Sequence, residues 1–291
     1  KGHVSLFRRA MKVIAPDVAH IVPAYHSPFK AKSPTPFRLR MKMLKLAFAG
    51  FGKNIVFDDY ELKQGGKTYT YQLVQYLKKR YDNPEIYLLV GTDCLNDLHN
   101  WKNPGYIFDN AVVVAGKRKG YNENPAQFNH LFLPGFFPKL SSSRVRAHIL
   151  ACGDVPDTVP EIIAPIIREN NLYGLDVHTW LKAHLKPNRY LHSKNVAEMA
   201  AAFSDIYDVN VELAVKAGIM HDAGKGFSGP ELIAFCKEHK IKVPFFEDIC
   251  RMEPSLLHSY VSAWIAQHEF GVTNKDVIRA IAEHTLGSLH M

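Results

Sequence analysis

The sequence predicts two domains of different class: an α/β domain on a Rossmann-like parallel sheet, then an all-α helical bundle. Three observations predict this. The chain has 291 residues, more than one small domain needs and comfortable for two. Helix-like and strand-like stretches alternate up to about residue 140, and strand patterns stop after Gly174. Histidine is uneven too, with nine of the fifteen lying after residue 174. The boundary is expected at residues 174–187, giving domains 1–176 and 177–291.

The elements follow in order. "VSLFRRAMKVI" reads as a helix and "AHIVPAY" as a short strand. "RLRMKMLKLAFAG" is helical, "NIVFDDYEL" a strand, and "TYQLVQYLKKRY" a helix with Thr70 as its cap. "EIYLLVG" and "NAVVVAG" are near-continuous apolar runs, the pattern of parallel strands covered on both faces. "SSSRVRAHILACG" and "PEIIAPIIRENNLYG" close the domain as helices. The second domain reads as helices throughout, from "NRYLHSKNVAEMAAAFSDIYD" to "NKDVIRAIAEHTLG", separated by Gly or polar breaks.

Composition narrows the partners. Thirty-six Lys and Arg against 28 Asp and Glu leave a net charge of +8, which suits anionic ligands such as nucleotides. The basic residues are dispersed and no aromatic-basic motif appears, so no nucleic acid is expected. No apolar run is long enough to span a membrane. The four cysteines form no C-x-x-C pair and read as reduced thiols of a cytoplasmic protein. The opening "KGHVSLFRRAM" and the closing "EHTLGSLHM" are expected to be trimmed ends. Homo-oligomer formation is left open.

The chemistry of the second half centres on "GIMHDAGKGFS", where His221 and Asp222 end an apolar run. Buried polar groups of this kind need a cap, a satisfied network or a metal. Adjacent residues on a regular helix point about 100° apart. The pair converges on one centre only near a helix end, where Gly224 and Gly226 permit irregular backbone, or it reaches two neighbouring metals. His192, His258 and His284 lie on other helical stretches. Imidazole and carboxylate ligands gathered from several elements suit a transition metal.

Taken in order, these words resemble the HD-domain metal phosphohydrolases. "RYLHSKNVAEMA", "AGIMHDAGKG", "LLHSYVSAWIAQHEFG" and "AIAEHTLG" are most similar to the bacterial symmetrical bis(5′-nucleosyl)-tetraphosphatases, over residues 187–291. The resemblance implies His192, His221 and Asp222 as metal ligands. It implies His258 and His284 as second-site ligands or phosphate contacts, and Lys225 as a phosphate-facing cation. It implies a di-metal centre of iron that cleaves diadenosine tetraphosphate to two ADP. The family's last metal-binding aspartate is expected just beyond Met291.

The first half carries a second constellation. Gly2–His3 precede a helix, and Lys30 lies in the turn-rich "VPAYHSPFK". "LLVGTDCLNDLHNWKNP" puts Gly91, Thr92 and Asp93 at the C-terminal end of the most apolar strand, where parallel sheets bind ligands. Trp101 follows and can stack on an aromatic ring. "LSSSRVRAHIL" sets serines and Arg144 and Arg146 at a helix start, a natural phosphate site. In order and spacing these stretches resemble nicotinate-nucleotide adenylyltransferase, of the HxGH nucleotidylyltransferase superfamily. "KGH" matches the tail of the opening signature, and "VPAYHSPFK" matches its lysine motif with Ser27 for proline and Phe29 for histidine. "VGTD", "WKNP" and "LSSSRVR" match later motifs. The first strand, the Gly-rich turn and the first signature histidine of that family are not in the chain.

That resemblance implies adenylyl transfer from ATP, with Mg²⁺, to nicotinate mononucleotide, giving deamido-NAD. His3 then donates to the α-phosphate, and Ser142 and Arg146, assisted by Lys30, hold the ATP phosphates. Gly91 and Asp93 contact the nucleotide, while Thr70 and Trp101 recognise the nicotinate ring. The expected protein is a bifunctional enzyme. The alternative is an adenylyltransferase whose HD domain senses nucleotide without cleaving it.

Overall fold

The computed structural model describes residues 2–25, 35–118, 130–137 and 140–287. The chain divides into two compact units, Lys1–Leu140 with Pro160–Ile163, and Ser141–Val159 with Ala164–Met291. Lys30 lies outside the described residues.

In the first unit, α1 (Gly2–Ile14) leads into β1 (Ala19–Ile21), α2 (Phe37–Phe48) and β2 (Ile55–Phe57). Then come α3 (Tyr60–Gln64), α4 (Thr70–Arg80), β3 (Tyr87–Gly91), α5 (Thr92–Asp97), α6 (Pro104–Asn110), β4 (Val112–Arg118) and β5 (His130–Phe137). All strand pairings among the described residues are parallel, as expected. They form two sheets, however, β1-β2 and β3-β4-β5. Strand β4 is covered on both faces. Val114 packs with Leu6 and Ala10 of α1 and with Leu133 and Phe137. Val113 and Ala115 pack on the other side with Val90, Leu95 and Leu98. This alternation is why the "VVVA" run is apolar at every position. Gly116 lies under α1, where a side chain would run into Leu6 and Phe137.

Three elements differ from expectation. The strand predicted over "NIVFDDYEL" is only Ile55–Phe57, because the Asp58 carboxylate accepts the Tyr60 N–H at 3.0 Å and starts α3. Thr70 is the first residue of α4 rather than its cap. The N-cap is Tyr69, whose N–H donates to Gln72 Oε1 at 2.9 Å. Strand β5 runs through Pro134 and Gly135, residues that argue against a strand in sequence. Its position at the sheet edge tolerates them, with a register shift opposite Gly116 and Arg118.

A buried polar network ties the smaller sheet to α4. Asp58, 5 % exposed, meets His20 Nδ1 and the Arg80 guanidinium, each at 3.1 Å. The Tyr81 hydroxyl closes the other side of the His20 ring at 2.8 Å. Desolvation lowers the His20 pKa, with the Asp58 carboxylate opposing it.

The second unit is all helical: α7 (Ser142–Cys152), α8 (Ala164–Glu169), α9 (Leu175–His184), α10 (Pro187–Ile206), α11 (Val211–Met220), α12 (Gly229–Glu238), α13 (Phe246–Met252), α14 (His258–His268) and α15 (Lys275–Glu283). One core joins them, with Leu181, Ala197, Val215, Ile219, Leu257, Val261 and Ile281 at its centre. Asn210 caps α11 by accepting the Glu212 and Leu213 N–H groups, and Asn274 caps α15. Gly218 lets α11 approach the α10 backbone, since a Cβ there would stand 2.9 Å from Ala197 Cα. Ala147, Leu150 and Ala151 of α7 are buried in this same core. By packing, α7 to α9 group with the helical unit.

Candidate functional site

The apolar helix α11 ends at Met220; His221 keeps helical backbone (φ −56°, ψ −36°), and the chain leaves the helical path at Asp222 (φ −102°, ψ 15°). His221 is its C-cap, and Asp222 turns into a short 3-10 segment, Ala223–Gly226. Gly224 makes the turn possible. Its N–H donates to Ser262 Oγ at 2.8 Å, and a Cβ on it would stand 2.6 Å from the His258 carbonyl oxygen. The turn thus lies against the start of α14 and brings Asp222 to His258.

Five predicted residues converge here. Asp222 Oδ2 lies 3.5 Å from His221 Nε2 and 3.7 Å from His192 Nε2. Oδ1 lies 3.2 Å from His258 Nε2 and 3.6 Å from His284 Nε2. One carboxylate therefore faces two imidazole pairs, one through each oxygen. Asp222 is 3 % exposed and His258 2 %, whereas the His192 side chain is 46 % exposed, so the site opens on the His192 side.

The ring orientations are set from behind. Nδ1 of His221, His258 and His284 bonds to the carbonyl three residues earlier, at Gly218 (2.7 Å), Ser255 (2.6 Å) and Ile281 (2.7 Å). A carbonyl only accepts, so Nδ1 carries the proton and Nε2 presents a lone pair. The Nε2 atoms of His258 and His284 stand 3.2 Å apart, and those of His192 and His221 stand 3.3 Å apart. Two bare imidazole nitrogens at that distance repel unless a cation or proton sits between them. The donor set fits transition metals, and the shared carboxylate fits a bridged pair of them. His192, His221 and Asp222 form one group able to hold an ion, and Asp222, His258 and His284 a second.

The charge states agree. Burial lowers the His221 pKa, favouring the neutral ligand form despite the nearby Asp222. Burial opposes ionisation of Asp222, but its polar contacts with His258 and His284 outweigh it and hold the carboxyl well below its usual range. Lys225 is half-buried in the 3-10 turn and enters no ion pair among the described residues. Two neighbours escaped the sequence reading. Arg189 Nη1 lies 3.6 Å from Asp222 Oδ2, and Thr285 Oγ1 lies 3.1 Å from His284 Nε2. Arg189 precedes His192 by three residues on α10, a spacing that puts both on one helix face.

In the first unit, His3, Gly91 and Gly116 line one small cavity with Gly2, Leu6, Phe137 and Leu140. Gly91 ends β3 and caps α5, and Thr92 Oγ1 donates to the Gly116 carbonyl at 2.8 Å. Asp93 is on the first turn of α5. Thr70 begins α4. Trp101 is half-buried and packs against the Val90, Leu95 and Leu98 cluster.

The "SSSRVR" motif differs most from expectation. Ser142 is an exposed first residue of α7, with Ser141 at the cap position. Arg146 does not stand free for a phosphate. Its Nε and Nη2 donate to both oxygens of Glu212 on α11, at 2.8 and 2.6 Å, and Nη2 also reaches Ser143 Oγ at 3.2 Å. The reason is geometric, since the planar guanidinium matches a carboxylate with two parallel bonds. Burial favours the neutral Glu212, but the Arg146 bonds prevail and lower its pKa. No disulfide joins the described cysteines. Burial, then the charges of Glu198 and Asp154, push the Cys152 thiol up to about 11, so it is no ready nucleophile.

Residues 1–148 match the family model described as cytidylyltransferase-like, and residues 189–291 match that of the HD domain. A relative from Mycoplasma genitalium, "Probable nicotinate-nucleotide adenylyltransferase/Ap4A hydrolase", is 28 % identical over 290 residues, 98 % of this chain and 78 % of the relative. One from Aquifex aeolicus, "Probable nicotinate-nucleotide adenylyltransferase", is 32 % identical over 139 residues, 48 % of this chain and 80 % of the relative. Among solved structures, the Plasmodium falciparum nicotinic acid mononucleotide adenylyltransferase complexed with APC aligns with a TM-score of 0.50. It is 19 % identical, covers 59 % of this chain and 90 % of that one, and bears on the fold alone. No described helix is long and apolar enough to cross a membrane. The chain belongs to the cytidylyltransferase-like family, of the nicotinate-nucleotide adenylyltransferase type, and carries an HD domain fused behind that half.

Proposed function

We propose that this protein is a bifunctional cytoplasmic enzyme of nucleotide metabolism. Residues 1–176 transfer adenylyl from ATP to nicotinate mononucleotide, and residues 177–291 hydrolyse diadenosine tetraphosphate to two ADP. The names of the relatives support both activities. The observation that carries the hydrolase reading is Asp222, with one imidazole pair facing each of its oxygens.

In the first half, the mononucleotide phosphate attacks the α-phosphorus of ATP in line and the bond to pyrophosphate breaks. No covalent enzyme intermediate is needed, so catalysis is positioning plus charge stabilisation. His3 donates to the α-phosphate oxygen as charge builds there, beside the Gly91 backbone. Asp93 contacts the nucleotide, Thr70 and Trp101 the nicotinate ring, and Ser142 and Lys30 the ATP phosphates. Mg²⁺ travels with ATP, held mainly by phosphate and water. Arg146, the further phosphate ligand expected from the motif, is paired with Glu212 in this structure.

In the second half, His192, His221, Asp222, His258 and His284 would hold a di-metal centre, expected to be iron. Such a centre, when bound, polarises a phosphoryl oxygen and supplies an activated water at neutral pH. Asp222 positions both imidazole pairs. The Gly218, Ser255 and Ile281 carbonyls keep Nε2 of three ligands free of protons. Lys225 and Arg189 offer positive charge to the polyphosphate. The test supplies Fe(II) or Mn(II) with diadenosine tetraphosphate and follows ADP by chromatography, with Asp222→Asn as control. Failure of the wild type to release ADP sinks the hydrolase reading.

One observation favours a sensing role instead. The arginine of the transferase motif is held by Glu212 on α11, the helix that ends at the His-Asp pair. Under that reading Glu212→Gln changes the rate of deamido-NAD formation in a protein that never hydrolyses diadenosine tetraphosphate.

A further inference from the structure

We propose that the outer faces of α1 and α2 form a cationic surface that binds the phosphodiester backbone of nucleic acid without reading its sequence. The positive charge of the chain is gathered in one segment. Residues 1–57 hold eleven of the 36 Lys and Arg and a single acid, Asp17, for a net +10, so the rest of the chain sums to −2. The expectation of no nucleic acid rested on dispersed basic residues, and this segment departs from it. Neither helix contains an acidic residue. Arg8, Arg9 and Lys12 share one exposed face of α1. Arg38, Lys42 and Lys45, at i, i+4 and i+7, share one exposed face of α2. The two rows are neighbours. Phe7 meets the Phe48 ring edge-on at 5.0 Å, and the Arg8 guanidinium lies over Phe51, just beyond α2, at 5.4 Å.

Like charges four residues apart on a helix repel, so Arg8 with Lys12 and Arg38 with Lys42 oppose the helices that carry them. None of these six cations is in an ion pair among the described residues. Elsewhere Lys63, Arg80, Arg144, Arg146, Arg251 and Arg279 each meet a carboxylate. Rows left without counter-charge suit a polyanion with regularly spaced phosphates. The apolar side chains of the two helices turn inward. Leu6, Ala10 and Phe48 are buried, and of the large apolar residues on these helices Val13 alone is exposed. A helix that lies on a membrane sinks its apolar face into the headgroup layer, and these two have no such face free. No aromatic side chain on them is exposed for stacking on bases, so contact is with phosphates.

The full-length protein tests this by fluorescence anisotropy with a labelled single-stranded RNA of mixed sequence, in KCl from about 50 to 200 mM. Six phosphate contacts predict that log Kd rises with log salt at a slope of about 4. The triple variant Arg38→Gln, Lys42→Gln, Lys45→Gln should lower that slope by about 2 and weaken binding at low salt at least about tenfold. Removing the same charge from an exposed stretch of the second unit, with Lys237→Gln, Lys240→Gln and Lys242→Gln, should leave affinity within about twofold. Circular dichroism of both variants should stay that of the wild type. Should the α2 variant not fold, the pair Arg8→Gln, Lys12→Gln decides, with the slope lowered by about 1.4. Four results overturn the proposal: a wild type that does not bind at low salt, an unchanged slope in the α2 variant, an equal loss in the second-unit variant, or tighter binding to phosphatidylserine vesicles than to RNA at equal phosphate.

Discussion

Gly224→Ala isolates the geometry on which the HD centre rests. The glycine side of the turn lies against backbone. A Cβ would stand 2.6 Å from the His258 carbonyl oxygen and 3.2 Å from its Cα. Real Cβ atoms essentially never come closer than 3.0 Å to another heavy atom, so the turn and α14 must separate by at least about 0.4 Å. Neither partner is a flexible side chain that can swing aside. Overpacking of this kind costs about 1–3 kcal/mol. For a domain of this size, each kcal/mol lowers Tm by about 2–4 °C. The same displacement moves His258 away from Asp222 Oδ1, now 3.2 Å away, and strains the Gly224 N–H bond to Ser262. Misplacing a reacting group by about 1 Å costs on the order of 100-fold in rate, and a smaller shift costs less. Calorimetry and the ADP-release assay should therefore show a lower Tm and a hydrolysis rate about 10- to 100-fold down, with adenylyl transfer intact. Gly105→Ala is the control, because nothing lies within 4 Å of its Cβ position. A Gly224→Ala protein with the Tm of the wild type, or one destabilised yet fully active as a hydrolase, would refute the reasoning.

Other outcomes follow from the same structure. Asp222→Asn, nearly isosteric, should abolish ADP release and lower bound metal to one equivalent or none by mass spectrometry, with little change in circular dichroism. Glu212→Gln should destabilise the chain at pH 7 by about 0.5–1 kcal/mol, a surface-pair figure because both side chains are about a third exposed. The folded Glu212 pKa lies below its ordinary 4.5, so this contribution is present above that value and vanishes as pH falls through the folded one. Urea titrations of the two proteins should converge in acid. His20 works in another window. Burial depresses its folded pKa below 6.5, so the unfolded chain takes up the proton first and stability falls as pH drops below about 6.5. His20→Gln should flatten the pH dependence of urea midpoints between pH 7 and 5.

The His/Asp cluster was legible in sequence because the order of its residues along the chain is distinctive. The side chains of His192, His221, His258 and His284 come together around the Asp222 carboxylate. The parallel α/β character of the first half was equally readable, since strands covered on both faces must be apolar at every position. Strand β5 was not readable, because Pro134 and Gly135 are poor strand residues that only an edge position accommodates. Arg146 shows the limit for charged side chains. Its motif announced a cation at a helix start, and the partner it meets, Glu212, lies 66 residues away. Local sequence determines which residues are polar, where helices end and which face of an element is apolar, because these depend on neighbours a few positions apart. Convergence of imidazoles on one carboxylate and the pairing of Arg146 depend on packing between distant segments, and only the tertiary structure decides them.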